Sequence, residues 1–244
     1  MTAPISGLDL SAALPAKQRI RQAFDQAATG YDTAADVQRE MSDQLATYLR
    51  QTDLAADPDA MLDAGCGTGY SARWLAQHWP RTELVLLDFA PAMLAVARRQ
   101  HPGAKVICAD IEALPFGDHR FGGYWSNLTW QWNDPRRCLA EAARVLEPGG
   151  WLAVATLGAD NFPELRHAFA GTDAYSHVLA VPPPERWLTD GRAAGWRVRI
   201  WERRPVRRHF PDARSALRSV KAVGAREVEQ RRPTPLGRSA WQAI

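Results

Sequence analysis

Three glycines at every second position follow an aspartate, and this spacing is suited to holding a ligand against the backbone. The acid is Asp63, and the glycines are Gly65, Gly67 and Gly69. Glycines at a strand-to-helix turn let the backbone approach a ligand where a side chain would collide. A dinucleotide-binding G-x-G-x-x-G turn counted from Gly65 requires glycine at position 70, and Tyr70 stands there. The loop therefore predicts a cofactor site of another kind, with a plain tight turn as the alternative.

Two further acids end the next two predicted strands. Asp88 closes the apolar run that begins at Glu83, and Asp110 follows the next run along the chain. An ionised carboxylate at such a position accepts strong hydrogen bonds, as from both hydroxyls of a ribose. Each acid alone could cap a helix. Together with Asp63 they form three acids at three successive strand ends, on the edge where open sheets bind ligands, and they predict cofactor binding.

A polar and aromatic segment, residues 125–132, ends the fourth predicted strand. Trp125 is expected in the core. Trp130 and Trp132 flank Gln131 in the loop that follows, so we predict that both line a pocket, with core packing as the alternative.

Nucleophile–base pairs and metal-ligand spacings are not evident in the sequence. The six histidines lie in unrelated contexts, and Cys66, Cys108 and Cys138 lack the spacing of metal ligands. An odd number of cysteines without an export signal indicates reduced thiols, and no apolar run approaches the roughly 18 residues of a membrane span. We therefore expect a soluble cytoplasmic protein without a bound metal.

Short apolar runs alternate with helical patterns through the middle of the chain. Strands are predicted at 61–62, 83–87, 105–108, 122–126, 151–156 and 196–201, and helices at 71–79, 91–100, 135–146, 164–170 and 185–194. This alternation indicates an α/β fold with a mostly parallel sheet and helices on both faces. We expect one domain over 1–244 with a core of about 55–158, and helical lid segments at about 16–50, 161–194 and 211–232.

The acid and glycine loop at 63–69 resembles motif I of class I methyltransferases, a Rossmann-like superfamily. The resemblance implies S-adenosylmethionine as the cofactor, with the loop around its methionine and ribose portion. It further implies that Asp110 pairs with the adenine amino group and that Ile111 forms an apolar wall. The implied cofactor-binding residues are Asp63, Gly65, Cys66, Gly67, Gly69, Asp88, Phe89, Asp110, Ile111 and Asn127.

A narrower resemblance covers roughly residues 18–226. Segments 24–32 and 37–38 look like the N-terminal signature of malonyl-acyl-carrier-protein O-methyltransferases, and the similarity continues through 127–132, 156–158, 163–165 and 216–225. That family methylates the free carboxylate of a malonyl thioester carried on acyl carrier protein, the step that opens pimelate synthesis for biotin. The family usually continues with a further helix and a closing strand, so the C-terminus of this chain is either shortened or divergent, and a missing strand would expose a sheet edge.

The implied reaction needs little from the protein beyond positioning. A malonyl carboxylate is ionised at pH 7 and attacks the sulfonium methyl group without a general base. The site does need a cation for the carboxylate. Arg218 and Lys221 are the candidates, with Arg218 preferred for its planar fork, and Tyr31 is expected to donate a hydrogen bond to the carboxylate.

The net charge of +3 hides a basic segment. Residues 186–232 contain 14 arginines or lysines against 5 acidic residues, a local charge of +9. The segment is either a solvated surface or a docking surface for an acidic acyl carrier protein. A methyltransferase for a quinone precursor or another small molecule remains the first alternative, and one for RNA the second. We expect neither nucleic acid nor membrane as a partner.

Overall fold

Five parallel strands form the sheet that positions the site. In the computed structural model, which describes residues 10–52, 54, 57–170 and 177–225, the strands are β1 Ala60–Ala64, β2 Glu83–Asp88, β3 Lys105–Cys108, β4 Phe121–Asn127 and β5 Leu146–Ala155. The helices are α1 Leu10–Ala27, α2 Tyr31–Ala34, α3 Asp36–Arg50, α4 Tyr70–His78, α5 Pro91–Gln100, α6 Pro135–Val145, α7 Pro163–Phe169, α8 Pro184–Ala193 and α9 Ala213–Ala222. The predicted α/β class is confirmed.

The strand order places a ligand-binding crevice between β1 and β4. The order is β3-β2-β1-β4-β5, so the chain builds outward from β1 to β3 and then returns to the other side of β1. Ligands bind at such a reversal, outside the carboxyl ends of the strands. Here those ends lead into Gly65 after β1 and Leu128 after β4.

Apolar side chains on both faces hold the sheet in the interior. Leu62 and Phe121 belong to the cluster on one face, and Met61 and Trp125 to the cluster on the other. A parallel sheet covered by helices on both sides requires such nearly continuous apolar strands.

The strand predicted at 196–201 is wrong for this structure, because the part of the chain that the structure describes contains no strand after β5. The alternation of apolar residues with arginine is typical of a half-buried strand. A strand also needs hydrogen-bonding partners, and no backbone–backbone hydrogen bond joins residues 197–211 to another described residue. Val198, Ile200 and Trp201 are therefore exposed, whereas Trp196 packs against the core.

The remaining helices attach around this sheet. Helix α1 packs against α5, α8 against α6, and α9 against α2. Among the helices that the structure describes, none combines the length and apolar character that a membrane crossing requires. Parts of the predicted lid segments, residues 171–176 and 226–232, lie outside the described residues.

Candidate active site

A cleft opens at the carboxyl edge of the sheet, above the ends of β1, β2 and β4. It encloses about 610 Å³ of space, part of which is open solvent. Eight of the predicted site residues line it: Tyr31, Gly65, Gly67, Asp88, Phe89, Asp110, Ile111 and Asn127. Asp63, Cys66, Gly69, Arg218 and Lys221 are not among its lining residues.

The glycines of the loop serve different purposes. Gly65 has φ of +78°, and a Cβ there would lie 2.1 Å from Thr129 Oγ1, so this glycine lets the loop after β1 touch the loop after β4. Gly67 has φ of +55° with no atom within 4 Å of a Cβ position, so an added side chain would find open space. A Cβ on Gly69 would lie 2.8 Å from the His101 ring, so Gly69 permits close packing.

Asp88 connects the glycine loop to the start of α5. Its Oδ2 accepts the N–H of Gly67 at 2.9 Å, and its Oδ1 accepts the N–H of Ala90 at 2.8 Å. Burial raises the pKa of Asp88 to about 6, although the backbone N–H donors lower it, and the charge of Asp25 adds to the rise. Asp88 is therefore a buried acceptor facing the cleft, and it is mostly ionised at neutral pH.

Asp63 lies beneath the loop and is almost completely buried. Its Oδ2 has no hydrogen-bond partner among the described residues. Burial, and then the charge of Asp88, raise the pKa of Asp63 to about 8. Asn127 lines the cleft, donates from Nδ2 to the carbonyl of Gln38 at 2.9 Å, and also leaves its buried Oδ1 without a partner. Buried acceptors without partners are rare in folded proteins, and these two suit the amino group of a ligand.

Asp110 takes part in an ion-pair cluster that the sequence analysis missed. Its Oδ2 lies 2.5 Å from Lys17 Nζ, and its Oδ1 accepts the N–H of Glu112 at 3.0 Å. Lys17 Nζ also lies 2.8 Å from Glu112 Oε2. Lys17 precedes Ile20 and Phe24 on one helical face, and this spacing is the signal that could have identified it.

Aromatic side chains close the apolar side of the cleft. Phe24 meets Trp132 edge-on at 5.7 Å between ring centroids and Phe89 at 6.3 Å. Trp132 lines the cleft as predicted. The prediction for Trp130 is wrong, because this side chain is buried in the core beside Tyr124.

Tyr31 begins α2 and faces the cleft. Burial, with the charges of Asp88 and Asp32, raises the pKa of Tyr31 well above its usual value. The phenol therefore remains a hydrogen-bond donor at any physiological pH. Asp32 fixes this short helix by accepting from Thr68 Oγ1 at 2.6 Å and from Gln100 Nε2 at 3.1 Å.

The structure does not bring the two predicted cations to the cleft. Arg218 and Lys221 are exposed on α9, and Arg218 donates to Ser215 Oγ at 2.9 Å. The end of α9 nevertheless touches a wall of the site, because the Cβ position of Gly224 lies 3.0 Å from Phe24 Cδ1. Helix α9 is thus adjacent to the cleft without contributing a charge to it.

The lining groups suit ligand binding and orientation more than covalent catalysis. Among the described residues, no histidine or cysteine lines the cleft, and no cluster of potential metal ligands is present. Burial raises the pKa of the Cys66 thiol well above its usual value, which keeps it from acting as a nucleophile. Acceptors at Asp88 and Asp110 lie at separate positions along the cleft and fit a ligand with several hydroxyl and amino groups.

Comparison with known proteins identifies relatives over most of the chain. Residues 62–154 match the model of a family described as methyltransferase domain. The malonyl-[acyl-carrier protein] O-methyltransferase of Dechloromonas aromatica is 42% identical over 229 residues, which cover 93% of this chain and 85% of the relative. The protein of the same name from Laribacter hongkongensis is 38% identical, with coverage of 93% and 80%.

Solved structures share the fold at lower identity. Geranyl diphosphate C-methyltransferase from Streptomyces coelicolor A3(2), in complex with Mg²⁺, geranyl diphosphate and S-adenosyl-L-homocysteine, has a TM-score of 0.51 and 16% identity. The superposition covers 63% of this chain and 59% of that one. At this identity the similarity concerns the fold alone.

Proposed function

The chain belongs to the malonyl-[acyl-carrier protein] O-methyltransferase family and is an S-adenosylmethionine-dependent methyltransferase, and from this premise we propose its substrate and the roles of its residues. The substrate is the free carboxylate of a malonyl group carried as a thioester on acyl carrier protein. The product is the methyl ester that starts pimelate synthesis for biotin. The named relatives favour this substrate over a quinone precursor or RNA.

One observation carries the cofactor assignment: a single cleft joins the glycine loop to Asp88 and Asp110. Asp88 accepts from the ribose hydroxyls, and Phe89 and Ile111 flank the adenosine. Asp110 accepts from the adenine amino group. The partnerless oxygens of Asp63 and Asn127 suit the ammonium of the methionine portion, Asp63 from beneath the loop. When bound, the cofactor supplies an electrophilic methyl group on a sulfonium.

The protein's part in the transfer is to hold a carboxylate oxygen in line with that methyl group. The substrate carboxylate is the nucleophile and needs no base. Tyr31, protonated because burial raises its pKa, donates a hydrogen bond to the carboxylate and excludes water. Lys17 is the one basic residue among the described lining groups, and it is already paired with acids. The cation for the substrate therefore comes from outside the cleft, and we assign Arg218 first and Lys221 second.

The basic stretch 197–208 is suited to receive the carrier. It contains six arginines and one acid, and the described side chains of these residues are mostly exposed. Arg203 pairs with Asp160 just after β5, and Arg208 Nη2 lies 2.6 Å from Glu40 Oε2 on α3. These contacts hold the stretch near the carboxyl edge of the sheet, where the cleft opens. An acidic acyl carrier protein docked there is attracted by the opposite charge.

The direct test is incubation of the protein with malonyl-carrier and S-adenosylmethionine, read by mass spectrometry of the carrier. We expect a gain of one methyl group on malonyl-carrier and no gain on acetyl-carrier, which lacks the free carboxylate. Methylation of both carriers, or of neither, would contradict the proposed substrate.

The cofactor assignment is tested separately with Asp88→Ala. Calorimetric titration with S-adenosylhomocysteine is expected to show affinity reduced by about a hundredfold or more, because two hydrogen bonds to a charged group are lost. Asp57→Ala, which removes an exposed acid, is the matched control and should leave affinity unchanged. Unchanged affinity in Asp88→Ala would remove the ribose assignment.

A further inference from the structure

The N-terminal helix places a charged side chain in the wall of the cleft. The proposed reaction does not use this side chain. Lys17 on α1 lines the cleft, with its side chain 23% exposed. Its ammonium lies 2.5 Å from Asp110 Oδ2 and 2.8 Å from Glu112 Oε2. Ile20 and Phe24 also line the cleft from the same face of α1, so the helix directs Lys17 toward the site.

The two acids that hold Lys17 are themselves fixed by backbone groups. Asp110 Oδ1 accepts the N–H of Glu112, and Glu112 Oε1 accepts the N–H of Asp134 at 2.6 Å. Arg137 lies 3.8 Å from the other oxygen of Glu112. The position of the ammonium is therefore determined by carboxylates that have little freedom to move.

Lys17 and Asp110 together offer a ligand one hydrogen-bond donor next to one hydrogen-bond acceptor. An ammonium has three N–H donors, and the two short contacts with acids use two of them. Asp110 Oδ2 accepts a hydrogen bond from Lys17 Nζ and can accept another. Both groups line the same cleft, so a ligand there meets a positive donor next to a negative acceptor.

This pair is complementary to adenine and not to its deaminated, 6-oxo counterpart bound in the same orientation. Adenine presents its 6-amino donor beside a ring-nitrogen acceptor. A 6-oxo purine has an oxygen acceptor at that position, which would face the carboxylate of Asp110. We propose that Lys17 is a specificity-determining residue of the cofactor site, which together with Asp110 selects a 6-amino purine over a 6-oxo purine. The proposal rests on the proposed function in requiring the cofactor's adenine at Asp110.

The test compares S-adenosylhomocysteine with its 6-oxo analogue, S-inosylhomocysteine, by calorimetric titration of the full chain. The natural protein should bind the amino form more tightly. Lys17→Met keeps the apolar stem and removes the ammonium. It should lose about tenfold to a hundredfold in affinity for the amino form and little for the oxo form. Arg21→Met is the matched control, because Arg21 lies one turn further along α1, is 52% exposed and does not line the cleft.

Two outcomes would overturn the role of Lys17. An equal loss for both ligands in Lys17→Met would mean that the residue only holds α1 in place. Unchanged affinity for both would mean that the ammonium does not meet the purine. Lys17→Gln, which keeps a donor without the charge, should fall between the natural protein and Lys17→Met, and thermal unfolding of each variant reports whether it folds.

If the proposed function fails, the measurements differ from those that would overturn the role of Lys17 alone. If the natural protein binds S-adenosylhomocysteine but does not methylate malonyl-carrier, the substrate assignment fails while the comparison of the two purines still decides the role of Lys17. If the natural protein binds neither ligand, the cofactor site and the role of Lys17 fail together.

Discussion

The charge of each buried carboxylate near the cleft is decided by its immediate neighbours. Asp88 receives two backbone N–H groups, so its pKa rises only to about 6 despite burial. Asp63 has a buried oxygen without a partner and has Asp88 nearby, so its pKa rises to about 8. At neutral pH the ligand-free protein therefore holds Asp88 mostly ionised and Asp63 mostly protonated. We expect an ammonium ligand bound at Asp63 to favour its ionised form, because a nearby cation favours the carboxylate.

The raised pKa of Asp63 predicts how stability depends on pH. In the unfolded chain this carboxyl loses its proton near pH 4, whereas in the folded ligand-free protein it keeps the proton until about pH 8. The folded state thus binds more protons over this interval, and the free energy of unfolding falls with rising pH by up to about 1.4 kcal/mol per unit. Asp63→Asn, which cannot titrate, should show a shallower decline between pH 5 and 8 in urea unfolding.

The comparison of Asp63→Asn with the natural protein needs a control for the other acids. Asp88 contributes the same pH dependence of the unfolding free energy to both proteins. Asp57→Asn changes an exposed acid in the same way and should follow the natural protein. Identical slopes for Asp63→Asn and the natural protein would show that Asp63 is ionised in the folded state at neutral pH.

At the scale of elements, two glycines of the loop after β1 are expected to have different roles. Gly65 matters mainly for stability and Gly67 for cofactor binding. Gly65→Ala places a Cβ against Thr129 and strains a backbone with φ of +78°. We expect a loss of about 2–4 kcal/mol in the free energy of unfolding. Gly67→Ala meets no atom within 4 Å, so it should cost only about 1–2 kcal/mol, yet its methyl group occupies space beside the cofactor. Chemical denaturation should therefore show the larger loss of stability for Gly65→Ala. Calorimetric titration should show the larger loss of cofactor affinity for Gly67→Ala. A Gly67→Ala protein with natural cofactor affinity would contradict the placement of the cofactor against this loop.

Helix α9 is expected to supply the cation for the substrate, because the one lysine among the described lining residues is already paired with acids. Arg218→Ala should reduce kcat/KM for malonyl-carrier by about a hundredfold, because a charged hydrogen bond to the substrate is lost, while affinity for S-adenosylhomocysteine stays the same. Lys221→Ala should have a smaller effect, since a lysine lacks the planar fork of arginine. Arg99→Ala, an exposed arginine near the end of α5 and outside the basic segment, is the control. Normal turnover by Arg218→Ala would mean that another cation holds the carboxylate.

Elements with local start and stop signals were predictable from the sequence. Helix α5 begins at Pro91 and β3 spans Lys105–Cys108, both as expected, because proline at a first helical turn and a short apolar run act locally. The segment 196–201 was not predictable, since its alternation describes a strand but cannot provide the neighbour that a strand requires.

The candidate site also contains some residues that the sequence predicts and others that it does not. Gly65, Asp88 and Asp110 were predictable because strand ends in a parallel sheet meet at one edge. The helical spacing of Lys17, Ile20 and Phe24 can indicate a shared face of α1, but the contact of Lys17 with Asp110 spans 93 positions and depends on how α1 packs against the sheet. Trp130 and Trp132 have the same residue type two positions apart, and only the packing of the loop decides that one enters the core and the other the cleft.

At the scale of the whole molecule, the basic stretch that we propose for carrier docking is separate from the proposed cofactor site. Basic residues are concentrated in 197–208, whereas the charged residues among the described lining of the cleft are two acids and one paired lysine. A carrier protein docked as we propose would meet the exposed arginines, whereas a small malonyl thioester would need only the cleft. Long-range attraction between exposed charges is screened by salt, with a Debye length of about 10 Å at 0.1 M. The two substrates should therefore respond differently to ionic strength.

Turnover of malonyl-carrier should fall steeply as salt rises, whereas turnover of a small malonyl thioester should change little. A variant with Arg197, Arg199 and Arg207 each changed to Gln should raise KM for the carrier by about tenfold at low salt and flatten its salt dependence. The control changes Arg81, Arg98 and Arg99 to Gln. These exposed arginines lie just before β2 and in α5, on the other side of the sheet from β5. Steady-state kinetics with both substrates measures each effect. Equal salt dependence for the two substrates, or an equal rise in KM for both triple variants, would show that the carrier does not dock on 197–208.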